Sequence, residues 1–273
     1  MKKKPWDLFC FALCCLSAFF TFAALLFLIG YIVINGAGYI TPSLFAFSYN
    51  TENVSLFPAL LTTIFMIILS LLISAPIGVF TAIYLVEYAK RGNRFVHIIR
   101  ITMETLSGIP SIVYGLFGML FFVIWLGWGF SLLAGTFTIS IMILPLIVRT
   151  TEESLKATPD SYREGAFGLG AGKLRTVFKV VLPSAASGIL AGMILAIGRI
   201  AGETAALIYT AGTVAQIPQN LFSSGRTLSV HMYALSSEGL YSGQAYATAV
   251  ILLITVILLN TLAAIMTKQF KKE

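Results

Sequence analysis

Two stretches of 44 residues, 8–51 and 105–148, contain no Asp, Glu, Lys or Arg, and apolar runs recur along the rest of the chain with short charged segments between them. About 20 apolar residues suffice for a helix to cross the hydrocarbon of a bilayer, so each stretch has room for more than one crossing. The runs predict six spans, at 8–34, 60–85, 109–126, 133–148, 188–210 and 245–266. The third and fourth share one uncharged stretch, where Gly127, Gly129, Trp125 and Trp128 predict a turn at a membrane interface. The fold class that follows is an all-α integral membrane protein with six transmembrane helices.

Composition agrees with the pattern. Hydrophobic residues make up 58% of the 273 and charged residues 11%, with mean hydropathy +0.91, against about 25% charged in an average protein. The first run resembles a signal peptide in its basic start, but 8–34 is 27 residues, and a signal core has about 7 to 15; it reads as an uncleaved anchor. Phe9, Leu13 and Cys14 precede the three cysteines, Cys10, Cys14 and Cys15, so none follows the small residue that a lipid-attachment site needs. The cysteines read as small hydrophobes packed on lipid or on neighbouring helices, and no metal set or disulfide framework is available.

The net charge of +7 does not point to nucleic acid, because the bases lie between apolar spans rather than on a solvated face. Sixteen of the eighteen fall at 2–4, 90–100, 149–179 and 268–272. Six crossings put all four groups on one side, with Arg226 opposite and Arg199 inside a span; the positive-inside rule makes that side, and both termini, cytoplasmic. Segments 50–53 and 223–242 then face outward.

Between the second and third spans, bases alternate with Phe95, Val96, Ile98, Ile99 and Ile101, which predicts a helix lying along the inner membrane surface with His97 at the interface. The outer segment 211–244 is rich in glycine and predicts irregular backbone that dips into the protein or covers its outer mouth. His231 within it has no Cys, Asp or second His at ligand spacing. Pro76, Pro110 and Pro145, in or at the ends of spans, read as packing devices.

The long inner loop carries DSYREGAFGLGAGKLRTVFKVVLP at 160–183. Its glycines fail the Walker test, since Lys173 is followed by Leu174 and Phe167 stands where the first glycine belongs; no strand precedes them either, so they are no dinucleotide fingerprint. The chain is expected to bind no nucleotide and no cofactor, and to be no enzyme.

Glu164, Gly165, Ala166, Gly170, Val180, Leu182 and Pro183 fill the frame E-A-A, three residues, G, nine residues, I-x-L-P. That frame resembles the inner loop of the bacterial ABC importer permeases, with Gly for the second Ala and Val for Ile. The resemblance covers about 57–267 and divides the chain into an N-terminal helix and outer loop (1–56), a permease domain (57–267, with its coupling loop at about 153–183) and a tail (268–273). GIPSIVYGLFG at 108–118, IVRTTE at 147–152 and GRIAGETA at 198–205 make the likeness strongest to the PstA-type permeases of phosphate-specific importers. It implies the type I importer fold in a bacterial inner membrane. Arg163, Glu164, Gly165, Ala166, Gly170 and Pro183 would belong to a coupling helix seated on an ATPase. Implied partners are a second permease (PstC type), an ATPase dimer (PstB type) and an external phosphate-binding protein (PstS type), with inorganic phosphate as cargo.

An ionised side chain at mid-membrane costs about 2.5 to 3.5 kcal/mol on insertion scales. Arg199 and Glu203, at i, i+4, are expected on one face of the fifth span, where they can pair; Arg149 and Glu152, at i, i+3, are expected to repeat the arrangement at the inner end of the fourth. One reading makes these pairs helix pins or membrane-edge markers. The other makes the guanidinium forks phosphate ligands on a polar route, with the glutamates keeping binding transient; the PstA-type likeness favours it at Arg149, Glu152 and Arg199. A permease for sulfate or molybdate remains open, as does an ion-coupled secondary transporter or channel, although the chain shows no repeated halves of the kind common there. A signalling scaffold has no sequence feature in its favour.

Overall fold

The computed structural model describes residues 5–90 and 92–270, the side chains of 5, 7, 8 and 266–270 excepted. The basic residues at 2–4, 91, 271 and 272, and the side chain at 268, lie outside the described residues. Eleven helices and no strand occur among those described. In chain order they are α1 (Pro5–Ala37), α2 (Phe57–Ile83, continued by a π turn Tyr84–Tyr88), α3 (Arg94–Ser107), α4 (Ser111–Gly118, continued by a π turn Met119–Trp125) and α5 (Leu132–Lys156). Then come α6 (Asp160–Gly168), α7 (Lys173–Thr176, running through a π turn Val177–Val181 into α8), α8 (Leu182–Gly202), α9 (Ala205–Ile208), α10 (Leu228–Glu238) and α11 (Ser242–Phe270).

Five helical stretches are long and apolar enough to cross a membrane, and a sixth crossing arises if α3 and α4 count as one broken span bent by 103°. The bend sits at Gly108 to Pro110, where proline has no N–H to continue the ladder, and the Tyr114 hydroxyl pins it by donating to the Leu106 carbonyl at 2.8 Å. Six runs were expected; five are found, or six with the bent pair counted as one, and their ends differ. The fourth runs on to Lys156, two turns beyond the expected 148. The fifth occupies Lys173–Gly202 rather than 188–210, because the backbone turns extended at Glu203 (φ −72°, ψ 128°).

The bundle core is α2, α5 and α8, with Met66, Ile139, Ile143, Ile147 and Ile200 buried among them. Buried hydroxyls do not disrupt it, since Thr136, Thr138 and Ser140 each return a hydrogen bond to the carbonyl four residues back. Ser131 starts α5 by accepting from the Ala134 N–H at 3.2 Å. Helices α5 and α8 run antiparallel in close contact: a Cβ at Gly188 would strike Ser154, and one at Gly192 would strike Thr150. Small residues thus set the spacing that brings α8 to α5.

The bundle has two unlike ends. At one, α6 and α7 lie beside the ends of α2 and α5. At the other, the Leu228 N–H donates to Thr63 Oγ1 at 2.9 Å and the Ser229 hydroxyl to the Glu203 carbonyl at 2.6 Å, so α10, a regular helix within the segment expected to be irregular, packs onto the bundle. His231 there is fully buried, edge-on to Tyr49, whose ring lies 4.7 Å from the Arg226 guanidinium. Burial first, then the Arg226 charge, lower the His231 pKa to about 3.

Candidate functional site

A cavity of about 400 Å³ runs along α5 on the side facing α3, from Lys156 at the α6 end to Met142 and Arg199 at the other. It carries four basic residues, Arg100, Arg149, Lys156 and Arg199, against three acidic ones, Glu104, Glu152 and Glu153. Arg199 reaches it from α8, which the Gly192 to Thr150 contact sets against α5 near Met142.

The pairing inside it differs from the expected one twice. Glu152 does not pair with Arg149: one of its oxygens accepts from Arg100 Nη2 at 2.7 Å and from Lys156 Nζ at 2.7 Å, with the carboxylate 13% exposed. Arg149 instead reaches Glu153 at 3.0 Å, both well exposed, a geometry that contributes little to stability. The register explains the exchange, because Glu152 faces α3 while Glu153 sits one full turn from Arg149. Arg100 therefore belongs to the site although the sequence reading placed it only among surface bases. Its signal was weak: a base on the amphipathic α3 two turns before the bend.

Arg199 and Glu203 are the second correction. The helix ends at Gly202, and the Glu203 carboxylate turns to accept the Ala206 N–H at 3.1 Å, capping the short α9. Arg199 makes no hydrogen bond or ion pair among the described residues and is exposed to the cavity.

The second candidate region is α6. Its end is a Schellman turn: the Ala171 N–H donates to the Ala166 carbonyl at 3.0 Å and the Gly170 N–H to the Phe167 carbonyl at 2.9 Å. Gly170 adopts φ +80°, which accounts for glycine at that point of the frame. Glu164, Gly165, Phe167 and Leu169 are exposed, Leu169 to 91%, and Pro183 lies exposed in the first turn of α8. Ala166 and Arg163 turn inward, Ala166 buried and Arg163 bonded to Glu87 at 2.7 Å. Tyr162, Phe167 and Leu169 are exposed apolar side chains that the sequence reading missed, since it weighed small residues and bases only.

Residues 74–272 match the family model described as "Binding-protein-dependent transport system inner membrane component". Over 96% of its length the chain is 33% identical to the probable ABC transporter permease protein YqgI of Bacillus subtilis, covering 95% of that protein. It is 34% identical to the phosphate transport system permease protein PstA of Pasteurella multocida, over 81% of this chain and 79% of that one. Among solved structures, a bacterial alginate ABC transporter chain superposes with TM-score 0.69 at 15% identity, over 99% of this chain and 96% of that one. A MetNI methionine ABC transporter chain superposes with TM-score 0.61 at 19% identity, over 79% and 94%; these two likenesses concern the fold. With a family model covering most of the chain and full-length relatives at one-third identity, this multi-pass chain belongs to the inner membrane components of binding-protein-dependent transport systems, and within them is similar to the PstA-type permeases.

Proposed function

We propose that the chain is the permease subunit of an ATP-driven importer of inorganic phosphate, supplying part of the translocation route and the surface through which an ATPase acts on it. The observation that carries this reading is Arg199, without a hydrogen bond or ion pair among the described residues, in a cavity also lined by Arg100, Arg149 and Lys156. Guanidinium forks match two oxygens of a tetrahedral anion, which a point charge does less well. Glu152 and Glu153 pair with Arg100, Lys156 and Arg149, so phosphate would exchange one anionic partner for another. Binding of that kind is weak enough for release.

The remaining parts follow. The α6 end carries Lys90, Arg94, Lys173, Arg175 and Lys179, which supports placing it, and both termini, in the cytoplasm. The exposed faces of α6 suit a groove on an ATPase dimer of PstB type, with a second permease of PstC type across the route and a phosphate-binding protein of PstS type at the α10 end. Glu164, Gly165, Ala166, Gly170 and Pro183 shape the coupling surface; Arg149, Glu152 and Arg199 line the route, and Glu203 shapes its outer end. The chain contributes no group to ATP hydrolysis.

The test is uptake of labelled phosphate by the four-component complex in proteoliposomes, with sulfate and molybdate as competitors. ATP-dependent phosphate uptake resistant to both competitors is expected. Preferential uptake of either competitor moves the chain to another oxyanion, and isolation of the chain without a bound ATPase removes the reading.

A further inference from the structure

Resting on the permease reading, we infer that Arg163 is a positioning residue that locks the coupling helix to α2 and α5 through Glu87, so that the ATPase moves three elements as one body rather than tilting a hinged finger.

All the N–H groups of the Arg163 guanidinium are used. Nε and Nη2 donate to Glu87 Oε1 at 3.1 and 2.7 Å, and Nη2 also donates to the Leu155 carbonyl at 2.9 Å. Nη1 donates to the Thr158 carbonyl at 2.9 Å and to Asp160 Oδ1 at 3.1 Å. The Leu155 carbonyl is in the last turn of α5 and the Thr158 carbonyl two residues past its end, where helical backbone acceptors run out of partners and a cation is favoured. Glu87 sits in the π turn that ends α2, 76 residues away in sequence. One planar group thus ties α6 to two spans.

The pair is sheltered, with Arg163 15% and Glu87 8% exposed. A fork held at every donor has little freedom to yield. Next to it, Leu85, Leu155, Val177 and Val181 form a buried cluster that joins the same ends of α2, α5 and α8, and Lys173 lies 4.9 Å from the Tyr88 ring. Meanwhile Tyr162, Glu164, Phe167 and Leu169 point away and are free to meet a partner. Helix α6 therefore has an outer face for docking and an inner face for transmission, and Arg163 serves the inner one.

The experiment uses the complete complex in proteoliposomes, with uptake and hydrolysis measured together. Glu87→Gln and Arg163→Gln should leave the ATPase attached and hydrolysing while phosphate moved per ATP falls about tenfold, a coupling energy of ordinary size, and the double variant should be no worse than either single one. A wild-type ratio in either variant overturns the strut. Because these variants can fail to assemble, a second measurement leaves the pair intact: spin labels at Ser161→Cys and Phe80→Cys, with Cys10, Cys14 and Cys15 replaced by serine. Rigid coupling requires the α6 to α2 distance to stay the same between nucleotide-free and ATP-bound complexes; a distance that changes with nucleotide overturns the proposal. Absence of ATP-dependent uptake by the unaltered complex strikes the permease reading instead, and the strut falls with it.

Discussion

Glu203 lies one residue beyond the last turn of α8 and binds the Ala206 N–H, so it is no partner for Arg199 four positions before it. Their sequence spacing describes a helix that has already ended. The two residues consequently have separable roles, Arg199 toward the cavity and Glu203 at the start of α9. Arg199→Gln is expected to abolish phosphate uptake with the complex still assembled, and Arg199→Lys to fail largely as well. Glu203→Gln is expected to lower thermal stability by about 1 kcal/mol through the weakened cap. The effects of the two glutamine variants on stability should add; a strong interaction between them, measured as a double-mutant cycle by thermal unfolding in detergent, contradicts the separation.

Arg100 and Lys156 share one oxygen of Glu152. Arg100→Ala is expected to slow uptake several-fold while costing stability only about 0.5 to 1 kcal/mol, since the arginine is 45% exposed and screened by solvent. The reversed pair, Arg100→Glu with Glu152→Arg, should recover part of the loss if α3 is held to α5 by this bridge. Uptake by the double variant no better than by the worse single variant counts against it.

Gly170 ends α6 at φ +80°, and a Cβ there would meet nothing within 4 Å. Strain rather than collision is therefore the cost, about 1 to 2 kcal/mol for a residue forced left-handed. Stimulated ATP hydrolysis should fall in the order Gly170, Asn, Ala, Val, asparagine tolerating the conformation best. Gly170→Trp should remove both uptake and stimulation, because it adds bulk at the docking face. Equal stimulated rates across the series would show that the turn is not needed for coupling.

Buried His231 is neutral in the folded chain, with its pKa lowered to about 3. The unfolded imidazole binds a proton near pH 6.5, so the unfolded state holds more protons between these values and stability falls as pH drops below about 6.5, flattening near 3. At pH 5 the loss is about 2 kcal/mol. His231→Gln should remove this part of the acid sensitivity, which melting temperatures at pH 5 and 7.5 would reveal.

Single cysteines at Asn53 and Ser237, with the native cysteines replaced, should react with an impermeant thiol reagent in intact cells, and one at Arg94 should not. The opposite pattern reverses the orientation.

The run of apolar residues by itself determined that this is a helical membrane protein with several crossings, because a span is a one-dimensional property: length and hydropathy suffice. The spaced frame from Glu164 to Pro183 likewise marked a short helix and a tight turn before the fifth span, since the helix stop at Gly170 and the restart at Lys173 are local backbone events. Which charges meet was left to the tertiary structure. Arg149 with Glu152 and Arg199 with Glu203 looked paired on helical spacing, yet spacing supposes an unbroken helix and ignores competing partners. The extended backbone at Glu203 and the approach of Arg100 from α3 decided otherwise. Arg163 shows the same limit: its place in the motif does not say which face of α6 it occupies, and the packing of α6 onto the ends of α2 and α5 turned it inward to Glu87, where a buried carboxylate and the carbonyls of Leu155 and Thr158 satisfy its charge.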